Sequence, residues 1–257
     1  RSQKMSKLMR DLNMPDDVIS QLRLEALRLN ENSTATVRQV IPTFEARALP
    51  LDSEPIVNFL DNPPDKLMPV IEYLLSRNLY LEDYPFYWTP KIGFSNRVII
   101  PFYKDGVIVG YTARAVNDSK PKYISEQQPG YVFNLDKQQY DRKFVIVCEG
   151  PIDAISIDAC ALMGAEIKDS QNWLLKQLSK EVILIPDRDH EGPRTVEQAL
   201  EFGWSVSMPN WPEGVKDVND AVIKLGKLST LHLVVSAKES NNLKIQLRAK
   251  QWFKDIT

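Results

Sequence analysis

The feature that most constrains the fold is an alternation of short apolar runs with helical segments in the second half of the chain. The apolar runs are FVIVC from Phe144, VILIP from Val182 and WSVSMP from Trp204. Between them lie PIDAISIDACALMG and PRTVEQALEFG, each with a proline near its first turn and a glycine near its end. Apolar strands alternating with helices predict an α/β fold, in which a parallel sheet carries flanking helices through right-handed crossovers.

Acidic residues follow each of these predicted strands. Glu149 comes directly after FVIVC, Asp187 and Asp189 follow VILIP, and Asp217 and Asp220 lie in VKDVND beyond the third strand. In an open parallel sheet, the functional site lies beyond the carboxyl ends of the strands. If the strands are neighbours, these carboxylates converge on one edge of the sheet.

Converging carboxylates need a neutralising partner. Hard oxygen ligands favour Mg²⁺ or Mn²⁺, and such a site suits phosphoryl or nucleotidyl transfer. Raised pKa values or pairing with arginine are the other ways to hold carboxylates together. Arg188 lies between Asp187 and Asp189, but the alternation of an extended strand would turn it away from both.

Each acidic motif also has a simpler structural interpretation. Glu149-Gly150 is a common turn, Asp187-x-Asp189 can cap the helix that follows, and Asp217 or Asn219 can cap the next helix. The occurrence of all three motifs in this order, on successive strand ends, is much more specific than any one of them. A functional site is therefore the stronger hypothesis for the set.

The region upstream favours contact with nucleic acid. Within RVIIPFYKDGVIVGYTARAV, Asp105-Gly106 between two β-rich runs predicts a hairpin. The basic residues from 91 to 122 outnumber the acids Asp105 and Asp118; they are Lys91, Arg97, Lys104, Arg114, Lys120 and Lys122. Tyr103, Tyr111 and Tyr123 are interleaved, as stacking on single-stranded bases requires, although tyrosine is also an ordinary strand former.

Taken together, the motifs resemble the TOPRIM domain shared by DnaG-type primases, type IA and II topoisomerases and some nucleases. Glu149 to Asp153 is similar to the phrase EGxxD, Asp187 to Gly192 to DxDxxG, and Lys216 to Asp220 to KDxxD. The match is closest to the bacterial and bacteriophage DnaG-type primases, because the upstream hairpin and the phrase PKYIS are also similar to that family. The resemblance covers roughly residues 70–226.

The resemblance implies a TOPRIM domain, with a Rossmann-like parallel sheet, preceded by a smaller mixed α+β subdomain and followed by a helical tail. The predicted limits are 1–48 for a helical leader, 49–140 for the subdomain with the basic hairpin, 141–227 for the catalytic domain and 228–257 for the tail. One departure from the family concerns the stretch after YVFN, where a lysine is usual and this chain has Asn134 and Leu135. One basic contact is therefore in doubt.

The resemblance also implies roles for individual residues. Glu149, Asp187 and Asp189 would be catalytic and would bind two or more Mg²⁺ or Mn²⁺ ions together with Asp217 and Asp220, and Asp153 would support these ligands from behind. The residues expected to contact nucleotide and template are Arg97, Arg114, Lys122 and Tyr123.

The implied function is a primase core that synthesises short RNA primers on single-stranded DNA during replication. Its partners would be the template, nucleoside triphosphates, the RNA–DNA hybrid product and a replicative helicase. Two alternatives stay open: a TOPRIM nuclease or topoisomerase fragment, and a non-catalytic DNA-binding module associated with a helicase.

Composition is consistent with this interpretation. The formal net charge is −2, so contact with nucleic acid must come from a local basic patch. The two cysteines, Cys148 and Cys160, argue against a disulfide framework and a paired-cysteine zinc site, and favour a reducing cytoplasm. We find no apolar run of membrane-spanning length, so no membrane partner is expected.

Overall fold

The computed structural model describes residues 12, 14–15, 17–20, 22, 41–138 and 142–254. The chain divides into two compact units, Arg1–Ile41 and Pro42–Thr257. Most of the predicted leader, 1–48, lies outside the described residues, although residues 17–20 are helical. Residues 42–48 are not helical, and here the prediction is wrong. Their backbone donors are used elsewhere, since the Arg47 amide donates to the Ile108 carbonyl at 2.9 Å.

The first sheet of the larger unit is antiparallel and contains the predicted hairpin. Its strands lie in the order β1-β2-β3-β4-β5. Their bounds are β1 (Glu54–Pro55), β2 (Tyr87–Trp88), β3 (Arg97–Lys104), β4 (Val107–Ala115) and β5 (Tyr123–Glu126). Asp105 and Gly106 join β3 to β4 with φ angles of 51° and 78°. Both angles are positive, as the common two-residue hairpin turns require, and this prediction is confirmed.

The stretch from residue 49 to residue 64 is rich in proline, a composition typical of a linker, but it is part of the folded domain. It contributes β1 and a 3₁₀ helix, Ile56–Phe59, in which the Ile56 side chain is fully buried. Helix α1, Met68–Ser76, follows with Pro69 in its first turn. A buried isoleucine among the prolines explains why the segment packs onto the domain.

The second sheet confirms the predicted α/β class. Its order is β10-β9-β8-β6-β7, and the pairs that join β7, β6, β8 and β9 are parallel. The strands are β6 (Phe144–Cys148), β7 (Cys160–Ala161), β8 (Glu181–Leu184), β9 (Ser205–Ser207) and β10 (Lys238–Glu239). The helices are α2 (Pro151–Ser156), α3 (Asp169–Lys176), α4 (Gly192–Glu201), α5 (Val218–Leu225), α6 (Lys227–Ser236) and α7 (Asn242–Trp252). The two-residue strands β7 and β10 were not predicted.

The core covers both faces of this parallel sheet. Along β6, Val145 and Val147 pack into one apolar cluster, whereas Ile146 and Cys148 belong to the other. Burial on both faces explains why the strand is a continuous apolar run rather than an alternating one. Both cysteines are free and buried. None of the helices in the described ranges is long and apolar enough to span a bilayer.

Candidate metal and nucleic-acid site

Two of the predicted catalytic acids meet at the carboxyl edge of the parallel sheet. Strand β6 pairs directly with β8, so the residues that follow them are neighbours. The Asp187 amide donates a hydrogen bond to Glu149 Oε1 at 3.1 Å. The Glu149 residue is only 7% exposed. The sequence order of the strand ends thus brings the buried Glu149 next to the half-buried Asp187.

The electrostatics of this pair are unfavourable without a cation. Burial, followed by repulsion from Glu149, Asp189 and Asp217, raises the pKa of Asp187 to about 7. Burial also raises the pKa of Glu149 to about 7, where the hydrogen bond from Asp187 opposes the repulsion from Asp189 and Glu191. Within the described ranges, neither carboxyl group forms an ion pair with lysine or arginine. The edge therefore attracts protons or other cations.

Asp189 also has the structural role that its motif permits. Its Oδ1 accepts hydrogen bonds from the Glu191 and Gly192 amides at 2.9 and 3.0 Å, at the start of α4. A β-carbon on Gly192 would collide with the Asp187 carbonyl oxygen and the Phe253 ring. The glycine of DxDxxG is thus required by the close approach of α4 to the strand end. Asp189 Oδ1 holds the loop in place, and the negative charge of Asp189 also raises the pKa values of Glu149 and Asp187.

The third motif places more acids beside the same edge. Asp217 caps α5, since its Oδ1 accepts from the Asp220 amide at 2.7 Å. Burial, followed by repulsion from Asp217 and Asp187, raises the pKa of Asp153 to about 8. Asp153 Oδ1 accepts from the Asn219 amide at 2.9 Å. Asp217 therefore caps the helix, as the simpler structural interpretation predicts. It also belongs to an electrostatically connected group of acids, as the interpretation as a functional site predicts.

The donor set fits a hard divalent cation. Glu149, Asp187, Asp189 and Asp217 offer only oxygen atoms, which are the ligands that Mg²⁺ and Mn²⁺ prefer. In the part of the chain that the structure describes, no three His, Cys, Asp or Glu side chains are grouped closely enough to hold a metal ion. Mg²⁺ typically takes one or two protein carboxylates and completes its shell with water and substrate phosphates.

A cationic and aromatic surface faces these acids. The Arg114 guanidinium lies 5.3 Å from the centre of the Tyr73 ring and 5.1 Å from that of Tyr123, and it donates to the Tyr123 hydroxyl. Lys122 Nζ lies 5.8 Å from the centre of the Tyr123 ring, which belongs to a residue 39% exposed. Burial raises the pKa of Asp217, and Arg77 and Arg114 both act to lower it. The cations therefore lie within electrostatic reach of the acid edge.

Arg97 does not have the position predicted for a template contact. It is 4% exposed, and its guanidinium donates to four backbone carbonyls, those of Gly93, Ala113, Pro121 and Lys122. Burial lowers its pKa. Arg97 therefore fastens the segment that carries Lys122 to the sheet, and the expectation that it faces nucleotide is corrected. The charge is buried because the guanidinium fork satisfies several carbonyls at once.

Two of the three interleaved tyrosines also serve the fold. Tyr103 packs against the core beside Tyr84, with ring centres 6.3 Å apart. Tyr111 makes an edge contact with Phe94 at 6.4 Å. Tyr123 is the tyrosine of this group that is associated with the cations. Lys137, which lies close to the position of the missing family lysine, donates to the Asp83 carbonyl at 3.0 Å.

Sequence reasoning missed Arg77 and the role of Asn219. Arg77 Nη1 lies 3.3 Å from Asp220 Oδ1 and 3.1 Å from Asn219 Oδ1, and the Asn219 amide group donates to the Arg77 carbonyl and to Ser156 Oγ. The one available signal was the spacing of Tyr73 and Arg77, four positions apart at the end of α1. Arg188 was predicted to point away from its neighbours, and its Nε donates to the Trp252 carbonyl at 3.1 Å.

Comparison with known proteins agrees with this architecture. Residues 146–222 match the family model described as Toprim-like, so the second sheet and its acid edge are similar to a Toprim-like domain. Between 64% and 73% of the chain aligns with DNA primases and with a DnaG catalytic core, and the resemblance predicted from the motifs is confirmed.

Two relatives illustrate the sequence similarity. The chain is 28% identical to a DNA primase of Clostridium acetobutylicum over 195 residues, which cover 64% of this chain and 32% of that protein. It is 27% identical to a DNA primase of Staphylococcus aureus strain COL over 214 residues, covering 72% and 35%. The chain thus spans about a third of the length of these curated relatives.

Solved structures show the shared fold. A DnaG catalytic core superposes with a TM-score of 0.58 at 20% identity, covering 73% of this chain and 79% of that one. The E. coli primase catalytic core gives a TM-score of 0.57 at 18% identity, covering 73% and 78%. A DnaG primase catalytic domain bound to single-stranded DNA gives 0.57 at 19% identity, covering 73% and 76%.

Proposed function

We propose that this chain is the polymerase core of a DNA primase, which joins ribonucleotides into short primers on single-stranded DNA. One observation carries the proposal: Glu149 and Asp187 meet at the edge of a Toprim-like sheet, and the acids beside them, Asp217 and Asp153, lie within electrostatic reach of Arg114 and Tyr123 respectively. The fold shared with DnaG catalytic cores supports the same conclusion.

In this proposal, Glu149 and Asp187 hold a divalent cation, and Asp189 and Asp217 act as further ligands. When bound, the cation neutralises charge on the triphosphate and favours the ionised form of the attacking hydroxyl. Asp220 is paired with Arg77, so it would join a second ion only after that pair opens. Asp153, held by the Asn219 amide, would support the ligands from behind.

The cations would hold the other reactants. Arg114 keeps a fixed orientation between the Tyr73 and Tyr123 rings, and its buried Nε has no hydrogen-bond partner among the described residues. A phosphate would bind the exposed part of the guanidinium through a charge-assisted hydrogen bond. Lys122 and the exposed Tyr123 ring would contact template phosphate and base. The limits predicted for the subdomain and the catalytic domain, the replicative helicase and a cytoplasmic location are part of this proposal.

The direct test is template-dependent incorporation of labelled ribonucleotides with Mg²⁺ or Mn²⁺. We expect synthesis by the natural chain and none by the double variant Asp187→Ala/Asp189→Ala. The exposed residue Glu201 provides a matched control, and Glu201→Gln should retain activity. Normal synthesis by the double variant would exclude the proposed site.

The same reaction mixture separates the alternatives. Cleavage of DNA without any incorporation of nucleotide would favour a TOPRIM nuclease. Binding of single-stranded DNA with neither reaction, and with no affinity for Mn²⁺, would favour a non-catalytic module.

A further inference from the structure

An open apolar groove is lined by residues between 55 and 86 of the larger unit. Its volume is about 390 Å³, a size typical of a specific binding site. It is formed by the 3₁₀ helix Ile56–Phe59, helix α1 and the loop from 79 to 86. None of the acidic residues described above lines it. It is therefore distinct from the proposed catalytic edge.

The groove has a buried floor and exposed walls. Leu74, Leu79 and Phe86 form the floor and are 3%, 2% and 1% exposed. The walls carry large side chains that remain open to solvent: Val57 at 56%, Leu60 at 51%, Leu75 at 56% and Tyr80 at 50%. Single exposed apolar residues are normal on a protein surface, but a continuous set around one groove is typical of a binding surface.

The rim of this groove is acidic. From residue 51 to residue 86 the chain has seven acidic residues and two basic ones, although the whole chain has a net charge of only −2. Glu82 lines the groove, while Asp61 and Glu72 are exposed and adjoin the lining residues Leu60 and Ile71. Within the described ranges these three acids form no ion pair.

A second cavity continues the acidic character on the other side of the 3₁₀ helix. It has a volume of about 450 Å³ and is lined by Asp52, Glu54 and Asp65 around Phe59 and Trp88. Lys66 also lines it, and Lys91 pairs with Asp52 at 2.7 Å. A second group of acidic side chains therefore lies near the 3₁₀ helix that lines the groove.

We infer that this surface, defined by the groove and its acidic rim, docks a basic amphipathic helix of another protein. An amphipathic helix places apolar anchors in a groove at spacings of three and four residues. Lysine or arginine on its polar face would meet Asp61, Glu72 and Glu82. The negative rim disfavours nucleic acid, which is itself a polyanion.

The helix α1 would then serve two surfaces. Tyr73 and Arg77 face the cations and acids of the catalytic region, whereas Ile71, Leu74 and Leu75 line the groove. The docking inference does not depend on the proposed polymerase activity. Substitutions in the groove leave every proposed ligand and template contact unchanged.

The experiment uses a fluorescent 14-residue helical peptide of leucine and lysine as the probe, and a leucine–glutamate peptide of the same pattern as its control. We expect saturable binding of the lysine peptide and none of the glutamate peptide. In the full chain, the double variant Leu60→Gln/Leu75→Gln should weaken binding at least tenfold. The matched variant Leu243→Gln/Leu247→Gln alters two leucines that are 66% and 57% exposed on α7 and should bind normally.

A charge-reversal variant tests the rim independently of the apolar walls. Glu72→Lys/Glu82→Lys should also weaken binding at least tenfold, while circular dichroism shows unchanged folding. Natural affinity in both groove variants, or equal binding of the two peptides, would overturn the inference. Sedimentation equilibrium provides a further check: dimerisation that Leu60→Gln/Leu75→Gln abolishes would make a second copy the occupant and would also overturn it.

Discussion

The two sheets of the larger unit treat buried charge in opposite ways. On the antiparallel sheet, Arg97 is buried but its charge is satisfied by four carbonyls. At the edge of the parallel sheet, the buried Glu149 and the half-buried Asp187 lie beside other acids, and their pKa values are raised to about 7. A buried charge whose hydrogen bonds are all made within the protein indicates a structural role. Like charges held close together indicate a ligand-binding site.

The largest expected effect comes from removing one acid of the pair. Glu149→Gln keeps the shape and an acceptor for the Asp187 amide but removes a charged ligand. We expect primer synthesis to fall about a thousandfold, the scale of losing one essential group in an active site. Rates of ribonucleotide incorporation measure this loss. A fall of less than tenfold would show that Glu149 is not a ligand.

For Arg97, whose charge is satisfied by carbonyl groups, we expect a loss of stability. Arg97→Met removes donors from four buried or partly buried carbonyls, and we expect a loss of about 3–5 kcal/mol in the free energy of unfolding. Arg114→Met should cost only about 1 kcal/mol, since its main contacts are cation–π. Urea denaturation compares the two variants. Equal losses would remove the distinction between a structural arginine and a ligand-binding one.

A pH-dependent effect is expected at Asp153. Its pKa of about 8 lies above the usual value of 3.8, so the folded state holds a proton that the unfolded state has released. The stability from this group is present below pH 4 and is lost as pH rises through about 8. Asp153→Asn should therefore stabilise the metal-free protein by a few kcal/mol at pH 8.5, at about 1.4 kcal/mol per pKa unit, and by almost nothing at pH 4. Thermal unfolding in EDTA at both pH values tests the difference, and an equal change at both would contradict it.

The smallest expected effect concerns the pair that joins the two regions. Arg77 and Asp220 lie 3.3 Å apart with side chains 29% and 28% exposed. A double-mutant cycle with Arg77→Gln and Asp220→Asn should give a coupling energy of about 1 kcal/mol or less. A much larger coupling in urea denaturation would mean that this contact is a major support of the folded state.

Much of the architecture was predictable because its signals are local. Asp105-Gly106 specifies a hairpin, and the apolar runs that begin at Phe144 and Val182 specify buried strands whose ends bring Glu149 and Asp187 together. The contacts of Arg77 were not predictable, because its partners lie 142 and 143 positions away. The burial of Arg97 was not predictable either, since the sequence does not show which carbonyls will surround a basic residue. Strand β7 has only two residues, too few to show a pattern.

The central claim is that the acid edge holds a divalent cation, and direct titration with Mn²⁺ tests it most simply. Electron paramagnetic resonance should show saturable binding to the natural chain and competition by Mg²⁺. The affinity should rise between pH 6 and pH 8 as Glu149 and Asp187 lose their protons. Asp187→Asn should bind at least tenfold more weakly. Equal affinity in the natural chain and Asp187→Asn, with no dependence on pH, would contradict the account.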